Sequence, residues 1–230
     1  MIEPVDKKNQ VRKIFDTIAF RYDFLNHLLS FGTDIYWRKK ALKLTGVNKD
    51  SILLDVACGT GDFAITAKKM GVNKIFGADF SINMLIIFKE KSGWIAGHNF
   101  QTVAERMPVK KNSVTNITVA FGVRNFYNIQ EGFNSFYGIL TADGKATVLE
   151  FRLPSNPFFK RLYKFYFKKI LPFIGGIISG DSEAYNYLPR SVEEFDEKVN
   201  LPELLRNSGF RKIEQHNLTL GIVQVIIASK

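Results

Sequence analysis

The chain has 230 residues, a length that suits one mid-sized domain with a single core. Hydrophobic residues make up 46% of it and charged residues 23%, a balance that excludes disorder over most of the chain. A single cysteine excludes a disulfide framework and predicts a reducing, cytoplasmic setting. The net charge of +10 suits nucleic acid, an anionic membrane surface or an acidic ligand, whereas 21 phenylalanines favour an apolar partner.

The sequence has no pattern that predicts a signal peptide, a membrane span or a metal site. The N-terminus is polar, and no apolar run approaches the roughly 18 residues that a bilayer requires. The three histidines, His27, His98 and His216, lack the spacing of metal ligands, so we expect no metal.

Helices are predicted over the first 45 residues, where Val11, Ile14, Phe15 and Ile18 share one face. Beyond them, short apolar runs alternate with helical patterns. The predicted strands are residues 51–57, 74–79, 99–104, 116–121 and 145–151, and the predicted helices are residues 63–70, 82–90 and 129–140. This alternation indicates an α/β doubly wound sheet. Two further strands, 212–217 and 222–228, are so close in sequence that they predict an antiparallel hairpin at the end of the sheet.

Residues 152–190 interrupt the alternation. Within them, residues 157–171 predict an amphipathic helix, with Lys160, Arg161, Lys164 and Lys168 opposite a broad aromatic face. That face could cover the core, or it could lie in a membrane interface at the inner face of the membrane. We therefore expect one domain, 1–230, with a helical cap over about 1–45 and a helical lid insertion over about 152–190.

The central motif is a glycine loop at residues 53–62, LLDVACGTGD. A strand there runs into Gly59, Thr60 and Gly61, and a helix follows. Glycines allow the backbone to approach a ligand, and the start of a helix presents free N–H groups. Asp79 ends the next strand, where a carboxylate can accept hydrogen bonds from both hydroxyls of a ribose.

Two cofactors fit such a loop. The segment from Gly59 to Ala64 also satisfies the dinucleotide fingerprint G-x-G-x-x-G/A, which by itself is a weak signal. Asp55 and Asp62 flank the loop, and their charges would repel a pyrophosphate but attract the sulfonium and ammonium groups of S-adenosylmethionine. The terminal hairpin, typical of methyltransferases, favours S-adenosylmethionine as well.

Several segments carry a more specific pattern. They are residues 15–26 (FDTIAFRYDFLN), 30–32 (SFG), 37–38 (WR), 120–126 (AFGVRNF), 149–151 (LEF), 184–192 (AYNYLPRSV) and 218–223 (LTLGIV). With them the chain resembles, from about Val11 to Lys230, the S-adenosylmethionine-dependent C-methyltransferases of menaquinone and ubiquinone biosynthesis. Many methyltransferases share the glycine loop, but few share the segment at 121–125.

The resemblance implies a class I S-adenosylmethionine-dependent methyltransferase, with a Rossmann-like seven-stranded sheet that ends in the antiparallel C-terminal hairpin. Its substrate would be a polyprenyl hydroquinone, methylated on a ring carbon. The loop glycines and Thr60 would hold the methionine part of the cofactor, and Asp79 would bind the ribose. The other cofactor-binding positions would be Asp55, Val103, Ala104, Ala120 and Tyr22.

The chain departs from the family's usual pattern in three places. Residues 140–144 read LTADG where relatives usually have LKPGG, although Asp-Gly still favours a turn. Val103 replaces an asparagine, so only a backbone contact would survive there. Ile226 stands where many relatives have a histidine, which puts a polar contact with the quinol at the last strand in doubt.

Arg124 and Asn125 are the residues that we expect to be catalytic. They follow the fourth predicted strand, where open α/β sheets place substrate residues. Arg124 could stabilise a phenolate or lower the pKa of the quinol, and Asn125 could hydrogen-bond a quinol oxygen. A surface ion pair is the alternative for Arg124. Glu150 could belong to the site or be a structural carboxylate, and Arg38 could clamp a carboxylate, although exposed helix arginines are commoner.

Other functions stay open. The basic charge suits an RNA methyltransferase, but the chain has neither an added RNA-binding domain nor the motifs for methylating bases, so we expect no nucleic-acid partner. An NAD-dependent oxidoreductase fits the glycine fingerprint, and a non-catalytic scaffold protein could keep the pocket. The choice between naphthoquinol and benzoquinol substrates is open, with the naphthoquinol favoured. Whether the protein forms a homodimer is open as well.

Overall fold

The computed structural model describes Asp23, residues 26–170, Pro172 and residues 182–230, the last range with side chains from Tyr187 onward. The strands are β1 (Ile52–Val56), β2 (Lys74–Asp79), β3 (Asn99–Gln101), β4 (Val114–Ala120), β5 (Leu140–Phe151), β6 (Lys212–Leu218) and β7 (Val223–Ser229). The helices are α1 (Thr33–Thr45), α2 (Asp62–Lys69), α3 (Ile82–Lys91), α4 (Ile129–Ile139), α5 (Pro157–Phe165), α6 (Ser182–Lys198) and α7 (Leu201–Asn207).

The seven strands form one sheet in the order β3-β2-β1-β4-β5-β7-β6. The first five strands are parallel, and β7 runs antiparallel between β5 and β6. The expected α/β fold with an antiparallel C-terminal hairpin is therefore confirmed. The chain order reverses between β1 and β4, and ligands bind beyond the carboxyl ends of the strands at such a point.

The central strands are apolar because both faces of the sheet are covered. In β1, Leu53 and Leu54 point to opposite faces and are both buried. Leu54 belongs to the core on the side of α4 and α7, whereas Leu53 belongs to the core that packs α1, α2 and α3. A third, smaller cluster forms within residues 152–190 from Leu153, Tyr163 and Phe167.

Local signals start the helices at the expected places. The Ser81 hydroxyl accepts a hydrogen bond from the Met84 N–H at 3.3 Å, and the Asn128 side chain accepts one from the Glu131 N–H at 3.1 Å. Asn156 caps α5 in the same way, with Pro157 in the first turn. Such caps satisfy N–H groups that have no partner inside the helix.

Three predicted boundaries are wrong by more than two residues. Strand β3 ends at Gln101, because the next residues turn into a short 3₁₀-helix at Ala104–Arg106. Strand β5 begins at Leu140 and not at 145, because Leu140 pairs with Val114 across an irregular register. The helix predicted over 157–171 is α-helical only to Phe165 and continues as a π-helical turn at Tyr166–Ile170.

Most of the predicted helical cap, residues 1–22, 24 and 25, lies outside the described residues, and so do 171 and 173–181 of the insertion. The division of the chain into cap, domain and lid stays a prediction. Within the described part of the chain, no helix is long and apolar enough to cross a membrane.

The glycine loop depends on close packing at Gly61, and this can be tested. Gly61 has a φ of +88°, and a Cβ built there would lie 2.1 Å from the Phe88 ring. Gly61→Ala should lower the free energy of unfolding by roughly 2–4 kcal/mol, because backbone strain adds to the overlap with Phe88. Chemical denaturation of both proteins measures the difference.

Gly59→Ala is the matched control. Gly59 also has a positive φ, +54°, but its Cβ would meet no atom within 4 Å. In this variant the free energy of unfolding should fall by only about 1–2 kcal/mol, because only the strain of the backbone at a positive φ is added. Equal losses in the two variants would contradict the role of the Phe88 contact.

Candidate active site

The glycine loop leaves the end of β1 as a tight, well-bonded turn. Ala57, Gly59 and Gly61 all have positive φ angles, of 51°, 54° and 88°. The Cys58 N–H donates to the Ala78 carbonyl at 3.1 Å, and the Gly61 N–H donates to the Cys58 carbonyl at 2.9 Å. Helix α2 then begins at Asp62 without a side-chain cap at Gly61. Its first turn therefore presents N–H groups and a positive dipole end next to the loop.

Asp79 joins the second strand to this loop. One carboxylate oxygen accepts a hydrogen bond from the Gly59 N–H at 2.8 Å, and the other accepts one from the Ser81 N–H at 2.8 Å. Its carbonyl accepts the N–H of Thr102 at 2.9 Å, which brings the segment after β3 to the same edge of the sheet. Val103 and Ala104 follow directly. The structure therefore brings the predicted loop, ribose and adenine positions together along the carboxyl ends of β1, β2 and β3.

A small cavity of about 30 Å³ lies inside the loop. Its walls are Arg38, Asp55, Ala57, Cys58, Gly59, Thr60, Asp62, Phe63, Ala120 and Phe121. Five of the predicted cofactor positions, Asp55, Gly59, Thr60, Ala120 and the adjoining Gly61, thus lie in or beside one cavity. Of the other four positions, Asp79, Val103 and Ala104 lie along the same edge of the sheet, and Tyr22 lies outside the described residues.

Asp55 lines this cavity and is 1% exposed. The Thr118 hydroxyl donates to one of its oxygens at 2.7 Å, and the Ala64 N–H donates to the other at 3.2 Å. Burial outweighs these bonds and raises the pKa of Asp55 to about 7. A cationic ligand beside Asp55 would favour its ionised form.

Arg38 is buried, 6% exposed, and does not lie on the helix surface. It donates a hydrogen bond to Asp34 and lies 3.8 Å from a carboxylate oxygen of Asp62. His27 Nδ1 is 2.7 Å from the same Asp34 carboxylate. Burial alone would raise the pKa of Asp34, but Arg38 and the Ser30 hydroxyl hold it below its ordinary value.

His27, Asp34 and Asp62 offer ligand atoms within 4.8 Å of one another, a grouping that sequence spacing did not reveal. Arg38 supplies the positive charge in their midst, so the arrangement forms an ion-pair network as it stands. On the outer side, the Lys91 ammonium contacts Asp23 at 2.6 Å and Asp62 at 2.7 Å. Asp23 also accepts a hydrogen bond from Thr60, which ties Asp23 to the glycine loop.

A second and much larger cavity, of about 540 Å³, opens on the other side of Arg38 and Phe121. Its walls are mainly aromatic and aliphatic side chains. They come from α1 and the residues just before it, from the end of β5, from α5 with its π-helical turn, from α6 and from the segment after β6. Among them are Leu29, Phe31, Trp37, Phe151, Phe159, Leu162, Tyr163, Phe165, Tyr166, Phe167, Ile170, Leu188, Leu220 and Ile222. Arg38 and Phe121 line both cavities. The two spaces therefore share a wall, and a group bound in one lies beside a group bound in the other.

Arg124 lines the large cavity and forms an ion pair with Glu150. An Arg124 guanidinium nitrogen lies 2.7 Å from a Glu150 oxygen, and the Glu150 side chain is 0% exposed. The same guanidinium nitrogen donates to the Phe121 carbonyl at 2.5 Å. The ion pair considered for Arg124 thus exists, but it is buried at the cavity and not on the surface.

Asn125 occupies a different position from Arg124. Its side-chain oxygen accepts a hydrogen bond from the Tyr187 hydroxyl at 2.9 Å, and Tyr187, unlike Asn125, lines the large cavity. A direct bond from Asn125 to a quinol stays a prediction. The structure supports a role in which Asn125 orients Tyr187.

Sequence reasoning missed most of the cavity wall. Trp37, Tyr163 and Tyr187 come from three distant segments, which only the fold brings together. Trp37 is fixed by a 2.7 Å hydrogen bond to the Thr219 hydroxyl, across the whole chain. The available signal was the density of aromatic residues in 157–170, which indicated an apolar face but not what it faces.

The raised pKa of Asp55 predicts a specific dependence of stability on pH. The folded protein keeps the Asp55 proton up to about pH 7, whereas the unfolded chain loses it near its ordinary pKa of 3.8. The contribution of Asp55 to stability is therefore present below about pH 4 and is lost as the pH rises towards 7. Asp55→Asn, which does not titrate, should lack this loss.

Denaturation of both proteins without ligand, at steps from about pH 4.5 to about pH 7.5, measures this effect. This range covers most of the interval between the two pKa values of Asp55. The difference in unfolding free energy should shift in favour of the variant as the pH rises. A difference that stays constant over the whole range would contradict an unusual pKa at Asp55.

Comparison with known proteins agrees with this geometry. The model of the ubiE/COQ5 methyltransferase family matches residues 3–230. The ubiquinone/menaquinone biosynthesis C-methyltransferase UbiE of Geotalea uraniireducens is 42% identical over 236 aligned positions, which cover 100% of both chains. The demethylmenaquinone methyltransferase of Chlorobaculum parvum is 40% identical and aligns with 97% of this chain and 93% of its own.

Solved structures show the same fold at lower identity. An S-adenosylmethionine-dependent methyltransferase from Thermotoga maritima superposes with a TM-score of 0.64 at 18% identity, covering 95% of this chain and 99% of its own. One from Aquifex aeolicus gives a TM-score of 0.58 at 14% identity, covering 84% and 88%. With a family match over almost its whole length and relatives near 40% identity, the chain belongs to the ubiE/COQ5 methyltransferase family and is a methyltransferase.

Proposed function

We propose that this protein transfers a methyl group from S-adenosylmethionine to a ring carbon of a polyprenyl hydroquinone. The observation that carries the proposal is the pair of adjoining cavities. The small one lies within the glycine loop, and the large one is an apolar chamber with a buried arginine in its wall. An apolar chamber of about 540 Å³ fits an aromatic ring and part of a prenyl tail.

The residues around the loop fit the proposed cofactor. A Cβ at Gly59 would project into open space beside the small cavity, so the backbone there is accessible to a ligand. Asp55, Asp62 and Asp79 place three carboxylates around the loop, which suits a ligand with cationic groups and a ribose. Gly59, Thr60, Gly61 and Asp55 would hold the methionine part and Asp79 the ribose. Val103, Ala104, Ala120 and Tyr22 would complete the site.

The cofactor supplies an electrophilic methyl group on a sulfonium. The protein has to hold the ring in line with that methyl and make its carbon electron-rich, which happens when a ring hydroxyl loses its proton. The Arg124 guanidinium, fixed at 2.7 Å by Glu150, is in the cavity wall and can donate hydrogen bonds to a developing phenolate. The surrounding aromatic side chains exclude water and so strengthen this interaction.

The names of the relatives favour a naphthoquinol ring. The relatives from Geotalea and Chlorobaculum are both named for menaquinone chemistry, and only the first is also named for ubiquinone. We therefore propose the conversion of demethylmenaquinol to menaquinol as the main reaction, with a benzoquinol as the alternative substrate.

The mouth of the large cavity suits contact with a membrane, where a polyprenyl quinol resides. Phe31, Leu162, Phe165 and Leu220 line the cavity and are also exposed, Phe31 to 81%. Phe158 lies one turn before Leu162 on α5 and is 71% exposed. We define these five side chains as the mouth cluster. Such a cluster of exposed large apolar residues on a protein surface marks an interaction site.

The segment that carries Phe158, Leu162 and Phe165 of the mouth cluster is also basic. Helix α5 and its π-helical turn contain five lysines and arginines and no acid. Lys164 and Lys168 pair with Glu193 at 3.0 and 2.8 Å, and Lys160, Arg161 and Lys169 lie on the same segment. Aromatic residues that enter the interface beside lysines that meet anionic headgroups form a peripheral membrane surface.

The reaction is tested by methyl transfer from labelled S-adenosylmethionine to two reduced substrates, a demethylmenaquinol and a methoxy-polyprenyl-benzoquinol. We expect labelled product from the naphthoquinol in larger amount, because the named relatives share menaquinone chemistry. The activity should be insensitive to RNase, and S-adenosylhomocysteine but not NADH should raise the melting temperature. No product from either quinol, with cofactor binding intact, would refute the proposal.

Arg124→Lys tests the role of Arg124 in the assay better than Arg124→Ala does. Arg124→Ala would leave the Glu150 carboxylate buried without its partner, which typically costs about 3–5 kcal/mol of stability. Lysine keeps the positive charge but loses the planar guanidinium donors. Turnover of Arg124→Lys should fall roughly 100-fold, while its affinity for S-adenosylhomocysteine stays close to that of the wild type. A loss of cofactor affinity would contradict the role of Arg124 at the substrate.

Membrane contact is tested by sedimentation with vesicles. The protein should bind anionic vesicles at low salt and be released by high salt, because screening weakens its attraction to the headgroups. Phe158→Ser should bind more weakly, since Phe158 belongs to the mouth cluster but does not line the cavity. Ile86→Ser, which removes an exposed apolar residue from α3, is the control and should bind like the wild type. Binding that does not depend on lipid charge would contradict the electrostatic part.

A further inference from the structure

One polar side chain in the wall of the large cavity is accessible and makes no hydrogen bond to the described residues. Asn26 lines this cavity, and neither atom of its amide has a partner in the described part of the chain. The residue is only partly buried, and its amide is not among the fully buried, unpartnered groups. Beyond the Cβ an asparagine side chain consists of the amide alone, so the amide is what a ligand beside Asn26 would meet.

The other polar side chains of the wall are engaged or inaccessible. The Ser30 hydroxyl donates to Asp34 at 2.8 Å, and the Thr33 hydroxyl donates to the Ser30 carbonyl at 2.6 Å. Those that also have side-chain partners are Asp34, Trp37, Arg38, Arg124, Tyr166, Tyr187 and Thr219. The Tyr163 hydroxyl lacks a partner, but it has almost no accessible surface, so a ligand cannot reach it. Among the described residues of this wall, Asn26 therefore offers an accessible polar group that the protein does not already engage.

Asn26 lies close to the glycine loop. Three residues earlier, Asp23 accepts a hydrogen bond from Thr60 of that loop. Three residues of chain span at most about 11 Å, so the Cα of Asn26 lies within that distance of the Cα of Asp23. Four residues later, the Ser30 N–H donates to the Asn26 carbonyl at 2.9 Å, which places both side chains on one face of a helical turn. Asn26 is thus where the wall of the large cavity approaches the proposed cofactor site.

Contacts from Asn26 and from Arg124 lead to the same part of the wall. The residue after Asn26 contacts the Asp34 carboxylate at 2.7 Å, and Asp34 pairs with Arg38. The Arg38 guanidinium carbon lies 5.7 Å from the centre of the Phe121 ring, and Arg124 donates to the Phe121 carbonyl. Phe121 lines both cavities. A methyl group that passes from one cavity to the other has to cross at this shared wall.

The proposed substrate has one more oxygen than Arg124 can serve. A hydroquinone ring carries two hydroxyls on opposite sides, and Arg124 is proposed at the oxygen that loses its proton. The other hydroxyl keeps its proton, and its burial in an apolar cavity is costly unless it finds an acceptor. The amide oxygen of Asn26 is such an acceptor.

We infer that the side-chain oxygen of Asn26 accepts a hydrogen bond from the quinol hydroxyl that stays protonated, and so orients the ring towards the cofactor. This inference rests on the proposed function and adds a second polar contact to that of Arg124. A ring held at both of its oxygens cannot turn in its own plane, so the two contacts determine which ring carbon faces the methyl group. Asn26 is a substrate-binding residue that sets orientation, and it takes no proton.

Asn26→Leu tests the inference, with Asn83→Leu as its matched control. Leucine is close to asparagine in size but forms no side-chain hydrogen bond. Asn83 is exposed on α3 and lines neither of the two cavities. With a short-tailed demethylmenaquinol, Asn26→Leu should raise KM about tenfold, the size expected for one hydrogen bond to the ligand. Asn83→Leu should leave KM within about twofold of the wild-type value.

Cofactor affinity separates a contact with the substrate from a merely structural role. Asp23 bonds the glycine loop, so a displaced N-terminal segment would weaken cofactor binding as well. The Kd of Asn26→Leu for S-adenosylhomocysteine should stay within about twofold of the wild-type value. A cofactor affinity that falls together with the affinity for the quinol would overturn the inference.

A methylated analogue identifies the hydroxyl without relying on a variant. In this analogue the hydroxyl remote from the methylated ring carbon is a methyl ether, which cannot donate a hydrogen bond. The wild type should bind the ether about tenfold more weakly than the quinol, whereas Asn26→Leu should bind the two compounds within about twofold of each other. Quenching of the fluorescence of Trp37, which lines the cavity, reports each Kd. Equal binding of both compounds by the wild type would overturn the inference, even if Asn26→Leu did not fold.

The outcomes also separate this inference from the proposed function. If the wild type binds and methylates the quinol and Asn26→Leu does both equally well, the inference alone is overturned. If the wild type neither binds nor methylates the quinol, the inference and the proposed function are both overturned.

Discussion

The buried ion pair between Arg124 and Glu150 is the interaction on which the active site depends. Glu150 is the last residue but one of β5 and has no exposed surface, and Arg124 lies in a short 3₁₀-helix after β4, Val123–Asn125. Burying two charges is costly unless each compensates the other and forms further hydrogen bonds. Here the guanidinium also bonds the Phe121 carbonyl, and the Glu150 carboxylate accepts the Phe151 N–H at 3.0 Å. The pair thereby fixes a cation in the wall of an apolar cavity.

This pair can exist only because the sheet places β4 beside β5. The two strands are parallel neighbours, with Ala120 opposite Leu149, so their carboxyl ends meet at one point. The same alignment brings Phe121 between the two cavities and Ala120 to the glycine loop. The sheet thus determines which residues can face both a cofactor and a substrate.

Much of the remaining wall of the large cavity comes from α1 and from residues 152–190, and the segment after β6 adds to it. Trp37 and Arg38 enter from α1, and Tyr163 and Phe167 enter from α5 and its π-helical turn. A π-helical turn is rare and is often found at functional sites. At this turn Phe167 is buried and stacks on Tyr163 at 4.0 Å, while exposed Phe165 remains at the mouth. One face of this segment is therefore buried at the cavity, and another face is exposed at the surface.

Much of this organisation follows from the sequence by itself. Apolar runs typical of buried strands determine the α/β sheet, and the glycines at 59 and 61 determine the tight turn after β1, because these features depend on local backbone geometry. The segment at 120–126 determines the family. The tertiary structure alone decided that Arg38 and Arg124 are buried and paired and that Asn125 bonds Tyr187. The physical reason is that burial and pairing depend on residues distant in sequence, whose approach no local pattern encodes.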